Sequence, residues 1–316
     1  MFALRVQFPQ NWPGWRVPEY FLNESSDVDI SSSRREQHGK QIVVTTTVES
    51  EMHSDYCSDS PVFRGYIRDA DCKKLLSSYA LPPMPTTTAA SSAKTTCPTS
   101  SASIPVALKF AMREDLMEDL AQEAAVYLGP LKSLQGKTIP RCFGFYTGLG
   151  EEGQEIACLM LEYWGEGLRT SFSALPLDLR LKTLERLREL HRCGVHHGDF
   201  AERNVLQQNG DVRLIDFDQV EGIECDCTAN FDFCCVGSAP PDMDKVGCSI
   251  LWEIGWDMGI WEDMEEEETS ESESSDSSGF GAFTSSRSTP ASELDFGNGL
   301  TDKLAKDLSL DDGREG

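Results

Sequence analysis

The chain has 316 residues, 39% of them hydrophobic, and a formal net charge of -25. That length allows one large domain or two small ones. The charge leaves no strong basic surface, so neither nucleic acid nor an anionic membrane is an expected partner.

The acidity is uneven, because residues 262–316 hold 16 acidic and 4 basic side chains. The start, Met1-Phe2-Ala3-Leu4-Arg5, has no long apolar run, and no stretch of about 18 apolar residues follows anywhere. An intracellular protein, cytoplasmic or nuclear, is therefore expected, with its 11 cysteines reduced. Cys225-x-Cys227 and Cys234-Cys235 form a local cluster. Its spacing is not the C-x₂-C of common zinc sites, so free, partly buried thiols are the better reading than zinc.

Residues 1–40 mix Phe8, Pro9, Trp12, Pro13, Trp15 and Pro18 with a polar stretch and read as an N-terminal arm against the domain. The β-branched run from Ile42 to Val48 predicts a strand, as does Val62 to Ile67. Residues 81–103 are rich in Ser, Thr, Pro and Ala and read as a disordered insertion. A strand resumes at Pro105–Phe110. A helix follows over Glu114–Leu128, with Leu120, Ala124 and Leu128 on one face. Two apolar strands come next, at Arg141–Tyr146 and Ile156–Tyr163. Leu177, Leu181, Leu184, Leu187 and Leu190 then recur at helical spacing between Pro176 and Gly194. A last apolar helix is expected over Asp242–Trp256. Residues 262–316 read as an acidic, disordered tail.

The motif between the last two helices carries the chemistry. His197-Gly198-Asp199 is followed by Asn204, then by an apolar strand ending in Asp216-Phe217-Asp218. This H-x-D-x-x-x-x-N and D-F-x pair resembles the catalytic and metal loops of the protein kinase-like superfamily. The H-G-D-x-x-x-R-N form is similar to that of fungal protein kinase-like proteins.

That resemblance implies an α+β, bilobed protein kinase-like fold over residues 41–261, with a sheet-rich N-lobe and a shortened helical C-lobe. It implies ATP and Mg²⁺ as cofactors and a phosphotransferase acting on a hydroxyl, on an unknown protein substrate or partner. Val106-Ala107-Leu108-Lys109 looks like the V-A-I-K strand, so Lys109 would neutralise phosphate. Glu123 would pair with it and is preferred over Glu114 and Glu118 for its apolar neighbours. Leu159–Tyr163 resembles the strand entering the hinge, where backbone groups of Glu162, Tyr163 and Trp164 would meet adenine. Asp199 would orient or deprotonate the acceptor, and Asn204 and Asp216 would ligate Mg²⁺. Arg203 would bring positive charge to the transferring phosphoryl group, where Ala201 carries none. His197 would brace the loop, and Asp242 its backbone.

Departures from the pattern matter as well. Gly198 replaces an arginine, so control by activation-loop phosphorylation is not expected. Residues 49–61 contain no glycine, although close backbone approach to phosphate normally needs it. This opens an alternative reading, a pseudokinase that binds or scaffolds. A small-molecule kinase is a second alternative.

Overall fold

The computed structural model describes residues 1–9, 17–25, 41–49, 60–84, 103–225 and 241–261. Every described residue lies in one compact unit, 1–265. The acidic tail, residues 85–102 of the insertion, and the glycine-free stretch from 50 to 59 fall outside the described residues.

Seven strands close into a barrel: β1 (Phe2–Gln7), β2 (Glu19–Glu24), β3 (Ile42–Val48), β4 (Val62–Arg68), β5 (Ser103–Ala111), β6 (Cys142–Leu149) and β7 (Glu155–Glu162). Their order is β1-β2-β6-β7-β5-β4-β3, and β1 pairs with β3 in parallel to complete the ring. This corrects the expected fold class. A bilobed kinase-like arrangement predicts an open sheet in the small lobe, and the two strands that close it come from the segment read as an arm. Phe2, Leu4, Val6 and Phe8 are buried and point into the barrel, with Arg5 and Gln7 more exposed between them. Tyr20 and Leu22 do the same from β2. A strand edge with an apolar face is stable only when paired and covered, and β1 and β2 meet both needs. β6 bends at a register shift between Cys142 and Phe145, where Gly144 has φ 123°. An added Cβ there would meet the Tyr79 hydroxyl at 2.6 Å, so the bulge requires glycine.

The helices are α1 (Asp69–Ser78), α2 (Met117–Leu128), α3 (Leu177–Arg192), α4 (Met243–Val246) and α5 (Ser249–Asp257). α1 is absent from the sequence expectations. The single expected helix over 242–256 is two, divided at Gly247, which adopts φ 69°. Short strands complete the unit: β8 (Glu166–Gly167), β9 (Val195–His197), β10 (Val205–Gln208), β11 (Asp211–Leu214) and β12 (Val220–Gly222). β11-β10-β8 form one small sheet and β12-β9 another. Among the described residues, no helix is long and apolar enough to cross a membrane.

There are two cores, and the alternation of the strands separates them. Val106, Leu108 and Phe110 of β5 join the barrel interior with Phe63, Tyr146 and Met160. Ala111, Phe145, Ala157 and Leu159 face outward and join α2, α3 and α5 in the second core. Lys109 falls on this outer face because side chains change sides at every residue of a strand. The closed barrel is thus filled by apolar side chains, and the polar chemistry is carried outside it.

Candidate phosphoryl-transfer site

Lys109 reaches from β5 toward α2 and toward the turn after β11. Its Nζ donates to Glu123 Oε2 at 2.7 Å and to Asp216 Oδ1 at 2.5 Å. Burial alone would lower the lysine pKa, but the two carboxylates outweigh it and hold the group above its ordinary value. Glu123 is itself buried, and burial pushes its carboxyl up against the opposing pull of Lys109. Glu114 and Glu118 are exposed. Within this group, Glu123 Oε1 also accepts from the Phe217 N–H at 3.4 Å.

Asp216 holds φ 70°, a left-handed conformation that is uncommon for a residue with a side chain. Phe217 anchors the turn. Its buried ring packs edge-on against Tyr127 of α2 at 5.2 Å and lies 5.2 Å from His197. Asp218 is exposed, and partial loss of its hydration together with the Asp216 carboxylate raises its pKa.

The loop carrying Asp199 is built by its own side chains. Arg203 Nη2 donates to both Asp199 oxygens, at 2.5 and 2.6 Å. The Arg203 bond depresses the Asp199 pKa. Asn204 is buried, and its Nδ2 donates to the Asp199 carbonyl at 2.8 Å and to Oδ2 at 3.3 Å. His197 Nε2 meets the Ile215 carbonyl at 3.0 Å, and burial keeps this imidazole below its ordinary pKa. The Ile215 N–H donates to the Asn204 carbonyl at 3.0 Å. These two bonds lock the Asp199 loop to the residue before Asp216.

Gly198 has a local structural reason. Its N–H donates to the Gln219 carbonyl at 2.8 Å, and a Cβ would stand 2.5 Å from that same oxygen. No side chain fits there without moving the Asp199 loop away from β12.

The hinge segment is arranged differently from the expectation. The Glu162 N–H donates to the Arg141 carbonyl at 2.8 Å and the Tyr163 N–H to the Pro105 carbonyl at 3.4 Å. These two amides are therefore engaged within the protein. The Trp164 N–H makes no hydrogen bond among the described residues, while the Arg213 guanidinium lies 4.3 Å from the Trp164 ring centre. Glu162 Oε2 accepts from Arg141 Nη1 at 2.7 Å and Arg213 Nη1 at 2.8 Å, with all three side chains buried. The Glu162 side chain is thus a structural partner of two arginines.

The sequence thus leads to Lys109, Glu123, Asp199, Arg203, Asn204 and Asp216, and the structure brings these into one connected site. Asp218 stands where the resembling D-F-G motif has glycine and adds a second carboxylate at the turn. The signal for it is the spacing, since D-F-D sets two carboxylates on either side of one anchored ring. A cleft of about 480 Å³ adjoins the loop, bounded by Phe172, Phe200, Ile254 and Met258, with Glu253 and Asp257 at its rim. It does not include Lys109 or Asp216. Asp242 stands at the N-cap position of α4, makes no side-chain capping hydrogen bond there, and is exposed.

The donor set suits a hard cation and an anionic ligand together. Asp216 and Asp218 offer carboxylate oxygens. The Asn204 amide oxygen accepts no hydrogen bond among the described residues, leaving it available as a ligand. Lys109 supplies the positive charge beside them. No protein-family model matches the chain, and no curated protein matches it.

Proposed function

We propose that the chain is an ATP- and Mg²⁺-dependent phosphotransferase that passes the γ-phosphoryl group to a hydroxyl on a protein. The observation that carries this reading is Lys109, held between Glu123 and Asp216 beside the Asp199–Asn204 loop. Lys109 binds phosphate oxygens, and Glu123 fixes its direction. Asn204 and Asp216 hold Mg²⁺, which when bound neutralises charge on the phosphates. The Trp164 N–H is the hinge donor for an adenine ring.

Asp199 orients the acceptor hydroxyl. Arg203 holds its pKa below the ordinary carboxylate value. Arg203 keeps Asp199 ionised and sits four residues on, where it can turn toward developing charge. The neighbouring cleft, with Glu253 and Asp257 at its rim, suits an acceptor chain that carries basic side chains.

One observation favours a second reading, a binding protein without turnover. Residues 49–61 offer no glycine for close approach to phosphate and carry several carboxylates. Calorimetry with ATP and Mg²⁺ separates the two. Saturable, Mg²⁺-dependent binding that Lys109→Met and Asp216→Ala both abolish supports transfer. No binding at millimolar ATP removes it. Where ATP binds, radiolabel transfer to mixed proteins against small alcohols identifies the acceptor class.

A further inference from the structure

We propose that Arg64 plugs the base end of the nucleotide cleft, a control of that site which rests on the phosphotransferase reading. A nucleotide then binds only by displacing the Arg64 guanidinium from the Tyr163 ring.

Strand register locates the base end. On the outer face of the barrel, β4 sets Val62 opposite Lys109 and Arg64 opposite Ala107. On the other side of β5, β7 sets Leu159 opposite Lys109 and Leu161 opposite Ala107. The Tyr163 N–H extends the row by donating to the Pro105 carbonyl. From the phosphate anchor toward the hinge, the face therefore runs Lys109, Ala107, Pro105, in steps of about 6.6 Å. A ligand with phosphates at Lys109 and a base at the Trp164 N–H lies across Ala107, and Arg64 is the β4 neighbour at that step.

The guanidinium already fills this space. Arg64 Cζ lies 4.4 Å from the Tyr163 ring centre and 5.5 Å from that of Tyr66. A flat base placed between guanidinium and ring needs about 3.5 Å on each face, or about 7 Å in all. Stacking a base on Tyr163 thus requires Arg64 to leave. Glu49 holds it in place: Oε2 lies 3.4 Å from Arg64 Nε, and Oε1 accepts from the Tyr66 hydroxyl at 3.2 Å. The Arg64 side chain is only 28% exposed, so it lies along the face and does not extend into water. It bridges β4 to the segment that follows β7, across the place where the base must enter.

Breaking the cation–π contact with Tyr163 is a cost that the base alone meets. The phosphate end at Lys109 is two residues away and does not touch Arg64. Base-bearing and base-free ligands should therefore respond differently to the loss of Arg64. Removing a positive charge would by itself weaken the binding of any polyphosphate, so tighter binding in its absence identifies a plug.

Calorimetry on the full chain compares Mg²⁺–ATP with Mg²⁺–tripolyphosphate, which has no base. Arg64→Ala should bind ATP about threefold to tenfold more tightly than the parent, with tripolyphosphate unchanged or weaker. Weaker ATP binding in the variant, as expected if Arg64 stacks on the base, overturns the plug. So does an equal change for both ligands, or none. Each of these outcomes leaves ATP bound and the phosphotransferase reading intact. If neither ligand binds parent or variant at millimolar concentration, that reading falls and the plug with it. Should Arg64→Ala fail to fold, Glu49→Gln loosens the guanidinium instead. It should tighten ATP over tripolyphosphate in the same sense, and no such preference overturns the plug.

Discussion

Lys109 and Asp216 are joined by a 2.5 Å hydrogen bond across 107 residues of sequence. Neither residue alone defines a site; together with Glu123 they fix the place of one ammonium group to within bonding distance. On the proposed phosphotransferase reading, replacing Lys109 by Met removes the phosphate anchor; it also leaves Glu123 buried beside no cation. Phosphoryl transfer should fall by about 10²–10³, and the melting temperature should fall too, since an uncompensated buried carboxylate is costly. Asp216→Asn should lose transfer to a similar degree while leaving stability nearly unchanged, because Lys109 and Glu123 remain paired. Single-turnover assays with thermal unfolding of the two variants check this contrast.

The Asp199–Arg203 pair gives a pH prediction. Arg203 holds the Asp199 pKa below its ordinary value, so the carboxylate is ionised across the neutral range and is lost only in acid. Removing Arg203 lets that pKa rise. For the proposed phosphoryl transfer, the acid limb of the pH–rate profile of Arg203→Gln should therefore move to higher pH, with the neutral plateau also lowered. An unmoved limb would show that Asp199 does not set it. Asp199→Asn should reduce transfer by about 10²–10⁴ while nucleotide binding persists.

Gly198 replaces an arginine of the resembling motif for a steric reason. With the Gln219 carbonyl 2.5 Å from the place of a Cβ, even Gly198→Ala must displace backbone. A loss of about 1–3 kcal/mol is expected for Ala and for Arg alike. Equal losses in denaturant unfolding would assign the effect to the Cβ and not to charge.

What was legible in the sequence follows from how local each feature is. The Asp199 loop and the Asp216 turn are contiguous, and the Lys109 strand declares its facing by alternation. Glu123 stood out because apolar neighbours surround it. The barrel was not legible as a whole. Phe2, Leu4 and Val6 do alternate, but the prolines and tryptophans that follow mask the strand signal of that segment. Closure also rests on β1 pairing in parallel with β3, a relationship no single segment carries. α1 leaves little trace in the sequence, because only Cys72 and Leu75 mark its fully buried apolar side. The Arg141–Glu162–Arg213 cluster left no trace, since nothing in a sequence says that three separated charges will be buried together.

That cluster makes its own prediction. Among the described residues, Glu162 is the carboxylate that both buried arginines bond, so Glu162→Gln removes the counter-charge the two share. Destabilisation of about 3–5 kcal/mol is expected. Replacing Glu162 by Asp should recover little, because the shorter side chain cannot reach both guanidinium groups. Chemical denaturation of the two variants measures the difference.

Asp71 links stability to acid. Its carboxylate is fully buried near the start of α1, where Arg68 Nε donates at 2.7 Å and Lys74 Nζ at 2.9 Å. Burial alone would raise its pKa, but the bonds from Lys74 and Arg68 outweigh it and hold it below the ordinary value. A depressed carboxyl adds stability above the unfolded pKa of about 3.9. That increment is lost as pH falls through the folded value. Asp71→Asn should therefore be less stable than the parent at pH 7, by about 1.5–3 kcal/mol for its charged hydrogen bonds. The gap should narrow steadily below about pH 4. Parallel urea titrations at pH 7 and pH 3 test it, and a gap independent of pH would place the Asp71 contribution in packing instead of charge.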